Sequence, residues 1–370
     1  MYHLQPKKKL LKKQKKMQNN NCDFNINKRE VFKKKLPFLL LRNKIIKSIK
    51  SFFETEDFTE VDTPILQYSP GMEVHLFAFE TKFNNINGID SQKLYLHTSP
   101  EFSMKKLLSF GMERIYQFTH TFRNEVISPT HYPEFTMLEW YRTKHNYETL
   151  MKDCEKILNL TLTTTGNDYF AYKEKKCYLN NGIEKLTIAQ AFKKFCNIDI
   201  LSTIDNSKEP SPNKLAPIAK ELKINVSEND TWDDLFEKLM LEYIEPNLGV
   251  EKPTILYEYP IHQAALSKPS PTNPNIAERF ELYVCGIELA NAFTELTDKE
   301  SQEQRFLHDQ MEKEKIYGTT FPIDYEFLNC LDTLPDCTGI ALGIDRLIML
   351  ATHTDKITDT LWCQIPTLKE

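Results

Sequence analysis

The stretch from residue 122 to residue 141, FRNEVISPTHYPEFTMLEWY, combines side chains that bind anions with side chains that bind cations. Arg123 opens a polar loop that contains two prolines, and an apolar, aromatic run follows it. This order predicts an antiparallel hairpin with an arginine at its mouth. The planar guanidinium matches a phosphate or a carboxylate, whereas Glu139 and Tyr141 share a strand face on which a carboxylate could meet an amine. The stretch indicates a nucleotide site beside an amino-acid site, and a buried ion pair in an ordinary sheet is the alternative.

A pair of carboxylates follows between residues 278 and 298. Glu281 falls in a predicted strand, and Glu288 comes just after Gly286, where a hairpin would return it beside that strand. Hard cations such as Mg²⁺ take oxygen ligands and need few of them from the protein. The pair could therefore hold Mg²⁺ against phosphates.

Three further residues of this region are spaced by two. Asn291, Phe293 and Glu295 should share one face of a strand. An amide, an aromatic ring and a carboxylate on one face would suit a cationic amino acid. The alternative, a charged solvent face, is less favoured because the intervening residues are apolar or small.

A strand that runs into a helix is predicted between residues 335 and 351. The small and apolar residues 340–342 lead into Gly343, and a helix should begin near Asp345 with Arg346 in its first turn. Glycine at such a junction permits close approach of a ligand to the backbone. A helix N-terminus together with an arginine is suited to phosphate.

Another candidate site precedes the predicted helix 102–110. The alternating residues 74–83 predict a strand, and after a turn Ser99 is expected to cap the helix with Pro100 at its first position. Glu101 then lies in the first helical turn. Compensation of the helix dipole is the alternative role for this glutamate.

Bulk properties limit the class of protein. The 370 residues are 41% hydrophobic and 27% charged, which is typical of a soluble globular protein. No apolar run is long enough to cross a bilayer, and the eight cysteines are scattered without metal-ligand spacing, which favours reduced thiols in the cytoplasm. The net charge is −5 although the first 16 residues hold seven lysines, so we expect neither a membrane nor a stable nucleic-acid partner.

Local composition suggests how the chain is divided. Residues 1–28 are lysine-rich and of low complexity, and we expect a disordered extension there. Residues 29–370 would form one catalytic domain, in which residues 160–250 are a helical insertion. The alternation of strand and helix patterns predicts an α+β fold.

Taken together, these blocks resemble the three signature motifs of class II aminoacyl-tRNA synthetases. The sequence VDTP at 61–64 is similar to motif 1, FRNE through Tyr141 to motif 2, and GIALGIDR at 339–346 to motif 3. The wording PEFTMLEWY and ELANAFTEL resembles the lysyl-tRNA synthetase branch and, within it, the elongation factor P beta-lysine ligase family. This resemblance covers roughly residues 30–360. It implies a mainly antiparallel sheet flanked by helices, and a homodimer formed through motif 1.

The resemblance also implies residue roles. Arg123 and Arg346 would be catalytic, the first on the α-phosphate and substrate carboxylate and the second on the γ-phosphate. Glu281 and Glu288 would bind Mg²⁺. The implied ATP site is formed by Arg123, Asn124, Glu125, Tyr132, Glu288, Leu289, Gly343 and Arg346. The implied amino-acid site is formed by Ser99, Pro100, Glu101, Glu139, Tyr141, Asn291, Phe293, Glu295 and Ala341.

Several positions separate this sequence from its nearest patterns. An N-terminal anticodon-binding domain is missing from the resemblance, and Ala341 stands where the synthetases tend to have glycine and the ligases alanine; both features favour the ligases. Tyr132 replaces the asparagine that is usual in the ligases, and its hydroxyl could take over that residue's nucleotide contact. Ala292 replaces a glycine and could crowd the pocket floor.

The implied chemistry has two steps and needs ATP and Mg²⁺. An amino acid is activated as its adenylate, and an acceptor amine then displaces AMP. We expect the amino acid to be (R)-β-lysine and the acceptor a lysine side chain of elongation factor P. The alternatives are an enzyme that activates α-lysine for tRNA or another acceptor, and a non-catalytic regulatory paralogue. Retention of both arginines and of Glu288 argues against the last of these.

Overall fold

The computed structural model describes residues 5–84, 91–204, 210–264 and 266–365, with side chains from residue 29 onwards apart from that of Ser91. The α-helices are α1 (Gln5–Thr55), α2 (Glu101–Ser109), α3 (Tyr147–Thr165), α4 (Ile188–Cys196), α5 (Leu215–Glu221), α6 (Trp232–Leu239), α7 (Lys299–Tyr317), α8 (Tyr325–Cys330) and α9 (Ile344–Ala351). The strands are β1 (Thr59–Glu60), β2 (Leu66–Gln67), β3 (Glu80–Asn84), β4 (Ser91–Leu96), β5 (Arg114–Phe122), β6 (Glu134–Thr143), β7 (Phe170–Tyr172), β8 (Lys175–Cys177), β9 (Glu184–Thr187), β10 (Thr254–Pro260), β11 (Ile276–Val284), β12 (Ile287–Thr294) and β13 (Cys337–Gly343).

A mixed eight-stranded sheet organises the molecule. Its order is β1-β5-β6-β13-β12-β11-β10-β9. The inner pairs are antiparallel, and the edge pairs β1·β5 and β9·β10 are parallel. Helices flank this sheet, so the predicted α+β fold with a mainly antiparallel sheet is confirmed.

Strand alternation divides the sheet into a core face and a cleft face. Because successive side chains point to opposite faces, Leu138 and Trp140 enter the core while Glu139 and Tyr141 face the cleft. By the same alternation Ile340 and Leu342 of β13 enter the core, whereas the small residues that alternate with them, Gly339, Ala341 and Gly343, line the cleft. Helices α1, α3 and α9 supply the rest of this core, for example Phe53, whose ring stacks on Tyr116 with centroids 4.6 Å apart.

The predicted hairpin at residues 122–141 is present. Strands β5 and β6 pair from Arg114 opposite Arg142 to Phe122 opposite Glu134. The loop between them is held at its base by the Arg123 N–H, which donates to the Pro133 carbonyl at 3.0 Å. The register fixes which side chains of β6 reach the cleft.

A second hydrophobic core lies among the helices that follow β9. Trp232 and Phe236 of α6 stack with ring centroids 5.2 Å apart, and Phe236 stacks in turn on Phe192 of α4. Residues Thr187 and Thr231 form capping boxes that fix where α4 and α6 begin. Helical structure therefore prevails from Ile188 onwards, after the β7–β8 hairpin and β9, and the division of the chain into domains stays a prediction.

Three local expectations need comment. Residues 74–79 are not a strand, because the Lys313 ammonium binds the carbonyls of Glu73, Val74 and Leu76 that strand pairing would need. The N-cap of α2 is Pro100 and not Ser99. The backbone of α1 is described back to Gln5, inside the segment expected to be a disordered extension; the side chains of residues 5–28 lie outside the described part.

None of the helices in the described part of the chain combines the length and the apolar character that a membrane span requires.

Candidate active site

A deep cleft covers the open face of the central sheet. Its cavity volume is about 380 Å³, within the roughly 300–1,000 Å³ of a typical small-molecule pocket. Almost all of the predicted site residues line it: Ser99, Glu101, Arg123, Glu125, Tyr132, Glu139, Tyr141, Glu281, Glu288, Leu289, Asn291, Phe293, Glu295, Ala341, Gly343 and Arg346. Pro100 is buried at the N-terminus of α2, and Asn124 is exposed with its N–H bound to the Phe77 carbonyl; neither residue is part of the lining.

One end of the cleft is an acidic pocket with a lysine inside it. The Lys105 Nζ lies 2.5 Å from Glu101 Oε1 and 2.5 Å from Glu295 Oε2, and its side chain is only 1% exposed. On β6, Glu139 accepts hydrogen bonds from the Ser99 hydroxyl at 2.6 Å and the Tyr141 hydroxyl at 2.9 Å. We call Glu101, Lys105, Glu139, Tyr141 and Glu295 the amine pocket.

Burial dominates the electrostatics of the amine pocket. Desolvation and the nearby Glu101 raise the pKa of Glu139 to about 8. Desolvation also raises the pKa of Glu295 to about 8, with Lys105 acting in the opposite direction. Burial alone would lower the pKa of Lys105, but Glu101 and Glu295 outweigh it and raise that pKa. Lys105 is therefore a permanent cation in the pocket.

Close packing explains the glycine at position 339. A Cβ atom there would lie 2.1 Å from the Tyr141 ring and 2.5 Å from Glu295 Oε1. Side chains at such distances overlap, so only glycine lets Tyr141 lie flat against β13. Ala341, the next cleft-facing residue of this strand, pairs with Glu139 on one side and Asn291 on the other.

Arg123 dominates the opposite end of the cleft. Its guanidinium lies over the Phe135 ring, 5.5 Å from the centroid. Its Nε is buried and has no hydrogen-bond partner within the described part of the chain. A buried donor without a partner is costly in a folded protein, and an anionic ligand would satisfy it.

Arg346 is held more firmly. It donates from Nη1 to the Glu288 carbonyl at 2.8 Å and from Nε to the Thr130 carbonyl at 3.3 Å, and its Nη2 lies 2.7 Å from His131 Nε2. Desolvation, Arg346 and Arg123 lower the pKa of His131 to about 4, so the imidazole is neutral and can accept this bond. Because both guanidiniums act on one imidazole, they lie on the same side of the cleft.

Asp345 anchors the helix that carries Arg346. Its carboxylate pairs with Arg42 of α1 and accepts the Thr136 N–H at 2.6 Å. This buried group connects α9 with α1 and β6, so it positions the first turn of α9.

The predicted metal carboxylates differ in their surroundings. Glu281 accepts from the Tyr259 and Tyr283 hydroxyls, both at 2.6 Å, and from Arg279 Nη2 at 2.5 Å. Glu288 Oε2 lies 3.8 Å from Arg346 Nη1. Desolvation and the carboxylate of Glu281 raise the pKa of Glu288 to about 7.

Glu281 and Glu288 offer the carboxylate oxygens that a divalent cation binds. The raised pKa of Glu288 marks two carboxylates that repel each other, which a cation between them would relieve. No group of three or more His, Cys, Asp or Glu side chains able to hold a metal occurs among the described residues. The two carboxylates fit Mg²⁺, because this ion keeps several waters and uses one or two protein carboxylates. Glu288 is the more available of the two, since Glu281 already accepts three hydrogen bonds.

Tyr132 has a structural partner. Its hydroxyl, at the edge of the cleft, accepts the Ile365 N–H at 2.7 Å, so one lone pair of the oxygen expected to contact the nucleotide is already engaged. Glu125 is exposed at the mouth of the cleft.

The sequence predictions missed several residues of this site. Lys105 lies four residues after Glu101 and therefore on the same helix face, which was the available clue. Arg279 links the site by donating to Asn291 Oδ1 at 3.2 Å and to Glu281, and it alternates with Glu281 along β11. His131 gave no clue, because its role depends on contact with an arginine 215 residues away.

Comparison with known proteins agrees with this geometry. The family model for tRNA synthetases class II (D, K and N) matches residues 18–362. An elongation factor P--(R)-beta-lysine ligase of Proteus mirabilis is 38% identical over 326 residues, which cover 87% of this chain and 93% of that protein. The protein of the same name from Salmonella paratyphi B is 37% identical over 327 residues, 88% of this chain and 94% of that protein. The chain belongs to the class II tRNA synthetase family and, within it, to the elongation factor P--(R)-beta-lysine ligases.

Proposed function

We propose that this ligase activates (R)-β-lysine with ATP and transfers it to a lysine side chain of elongation factor P. The names of its relatives support both substrates. The observation that carries the proposal is the presence, in one cleft, of a buried acidic amine pocket and of Arg123, whose buried Nε has no hydrogen-bond partner among the described residues. An amino acid with cationic amines and an anionic carboxylate would lie along that axis.

In the first step a carboxylate oxygen of the amino acid attacks the α-phosphorus of ATP. The new O–P bond forms while the bond to the β-phosphate oxygen breaks, and pyrophosphate leaves. The amine pocket orients the amino acid, and Arg123 neutralises charge on the carboxylate and the α-phosphate. Arg346, which is held by Glu288, Thr130 and His131, would neutralise the γ-phosphate of the departing pyrophosphate. Positioning and charge stabilisation supply the catalysis, because no covalent enzyme intermediate is required.

In the second step the neutral ε-amine of the acceptor lysine attacks the adenylate carbonyl. The C–N bond forms, the C–O bond to AMP breaks, and the nitrogen loses a proton to give an amide.

Glu288, with Glu281 beside it, would hold Mg²⁺. When bound, that ion screens the phosphate charge.

Other features remain part of the proposal. We expect a cytoplasmic homodimer formed through the motif 1 segment, one catalytic domain over residues 29–370 with an insertion over 160–250, and no stable contact with nucleic acid or membrane. Exposed Ile65 and Leu66, which directly follow that segment, support a protein interface there.

The test is mass spectrometry of elongation factor P after incubation with this protein and ATP. With (R)-β-lysine, the acceptor should gain the mass of one β-lysyl group at one lysine. In parallel, ATP–pyrophosphate exchange should depend on the amino acid. Exchange with α-lysine and transfer to tRNA would establish the alternative enzyme, and binding of lysine without exchange would establish a non-catalytic protein.

A further inference from the structure

Lys105 is the one cation of the amine pocket, and its own contribution to substrate binding has not been described so far. It projects from α2 and contacts two carboxylates that line the cleft, Glu101 from its own helix and Glu295 from the end of β12. Its ammonium also lies 5.9 Å from the Phe327 ring centroid. Burying a lysine ammonium costs folding free energy unless the charge is paired. The ion pairs of Lys105 with Glu101 and Glu295 therefore make it a structural part of the pocket.

The charges of the pocket do not balance without a ligand. Three carboxylates, Glu101, Glu139 and Glu295, face one ammonium, and Glu139 and Glu295 are each 1% exposed. Three carboxyl groups cannot all be ionised in such a buried site unless cations neutralise them. Lys105 neutralises one carboxylate, which leaves two carboxylates without a cation.

We infer that Lys105 is a specificity-determining residue: by neutralising one of three carboxylates it leaves the pocket two positive charges short, a deficit met by protons in the free enzyme and by the two ammonium groups of a diamino acid in the complex. This inference rests on the proposed function. It defines the amino-acid substrate as one with two cationic amines, and it couples binding to proton release.

The other side chains around the amine pocket do not change the number of carboxylates inside it. On β6, burial and Glu139 raise the pKa of the Tyr141 hydroxyl, and at the start of β13 burial and Glu295 raise the pKa of the Cys337 thiol, so both stay protonated near neutral pH. Ser99 contributes a hydroxyl. Glu73, from the segment before β3, lines the same cleft but is exposed to solvent. Asp309 of α7 lines the adjoining cavity together with Glu101, and burial raises its pKa to about 7. Within the amine pocket itself the titrating groups that remain are Glu139 and Glu295, whose pKa values are both raised to about 8.

Calorimetry of wild-type protein provides the first test. Binding of L-lysine and of (R)-β-lysine is measured without ATP in two buffers of different ionisation enthalpy, which gives the number of protons released. We expect about two protons at pH 6.5 and fewer than about one at pH 8.5. Release below one proton at pH 6.5 would overturn the inference. If neither amine binds at all, it is the proposed function that fails.

A Glu295→Gln variant tests the count directly. Lys105 keeps Glu101 as its partner in this variant, so the fold is preserved, but one carboxylate has gone. Proton release at pH 6.5 should fall from about two to about one. An unchanged count would contradict the inference.

Lys105→Met and Lys106→Met form a matched pair on one helix. Lys106 pairs with Asp324 and Glu326 outside the pocket. In Lys105→Met the KM for the amino acid in pyrophosphate exchange should rise at least about tenfold, with a smaller change in kcat, because Glu101 and Glu295 lose the cation that holds them together. Lys106→Met should stay within about twofold of wild type. Equal behaviour of the two variants would overturn the role of Lys105, and if Lys105→Met does not fold, the proton counts decide.

Discussion

The two ends of the cleft are built on opposite principles. In the amine pocket three carboxylates surround one ammonium, that of Lys105, which contacts Glu101 and Glu295. At the other end, which we call the phosphate end, the Arg123 Nε has no partner within the described residues, and Glu288 lies 3.8 Å from Arg346. The first region therefore holds more carboxylates than cations, whereas the second holds an arginine donor that a ligand can satisfy.

This difference assigns separate tasks to the two regions. A dry pocket of fixed charges discriminates among ligands, because a mismatched group leaves a buried charge unpaired. Donors that are held open are best satisfied by charge that develops during reaction, which is where catalytic stabilisation is largest. Changes at the phosphate end should therefore alter mainly the rate, and changes in the amine pocket mainly selectivity and stability.

Substitution of Arg123 should give the largest effect. We expect Arg123→Ala to lower kcat/KM for ATP–pyrophosphate exchange by about 10²–10³-fold. The thermal midpoint should stay near that of wild type, because the Arg123 Nε makes no hydrogen bond to any residue that the structure describes. Arg114→Ala, at the far end of the same strand, is the control. Arg114 donates to the Glu56 carbonyl at 3.0 Å, away from the cleft, so its loss should leave exchange within about twofold. Similar losses in both variants would show that β5 and not the cleft was damaged.

Glu139 should make stability depend on pH. Its pKa is about 8 in the folded protein against an ordinary value of 4.5, so between these values the folded state holds a proton that the unfolded state has released. The stability this provides is present at low pH and is lost as pH rises through about 8. It is on the order of a few kcal/mol at most.

Thermal unfolding from pH 6 to pH 9 measures this effect. The midpoint of wild type should fall over this range, and that of Glu139→Gln should fall less. Glu113→Gln is the control, because Glu113 is a surface residue whose pKa is lowered by Lys144, and it is ionised throughout this range. If Glu139→Gln and wild type lose stability in parallel, the amine pocket is wetter than its burial implies.

Gly339→Ala tests the packing of the pocket. The new methyl group would overlap the Tyr141 ring, and overpacking of this kind costs about 1–3 kcal/mol. Gly343→Ala is a matched control on the same strand, since its Cβ would meet nothing nearer than Arg346 Cδ at 3.7 Å and its φ is −75°. Chemical denaturation should separate the two variants, and equal stability would mean that Tyr141 moves aside freely.

The smallest effect is expected from Tyr132→Phe. It removes the hydroxyl that accepts the Ile365 N–H and should destabilise the protein by about 1 kcal/mol. A rise of no more than about threefold in the KM for ATP is expected, because the ring remains in place. A larger rise, measured by pyrophosphate exchange, would show that the hydroxyl contacts the nucleotide directly.

The sequence was most informative where spacing alone decides geometry. The period of two placed Glu139 with Tyr141, and Asn291 with Phe293 and Glu295, on the cleft face. It was least informative where distant residues meet. Lys105, His131 and Arg279 acquire their roles from partners on other elements, and the backbone of residues 74–79 is directed by Lys313, more than 230 residues away. Local patterns carry no record of such contacts, which arise only when the sheet assembles.

The hydrogen bond from the Ile365 N–H to the Tyr132 hydroxyl couples two parts of the chain that are far apart in sequence. A further backbone bond, from the Ile357 N–H to the Pro129 carbonyl at 2.8 Å, joins the same two parts. A substitution at position 132 should therefore alter the position of the segment around residue 365. Shortening that segment, or fusing another sequence to it, should in turn alter the loop that follows FRNE. Anyone engineering this enzyme should treat the residues after α9 as a support of the nucleotide site and place purification tags elsewhere.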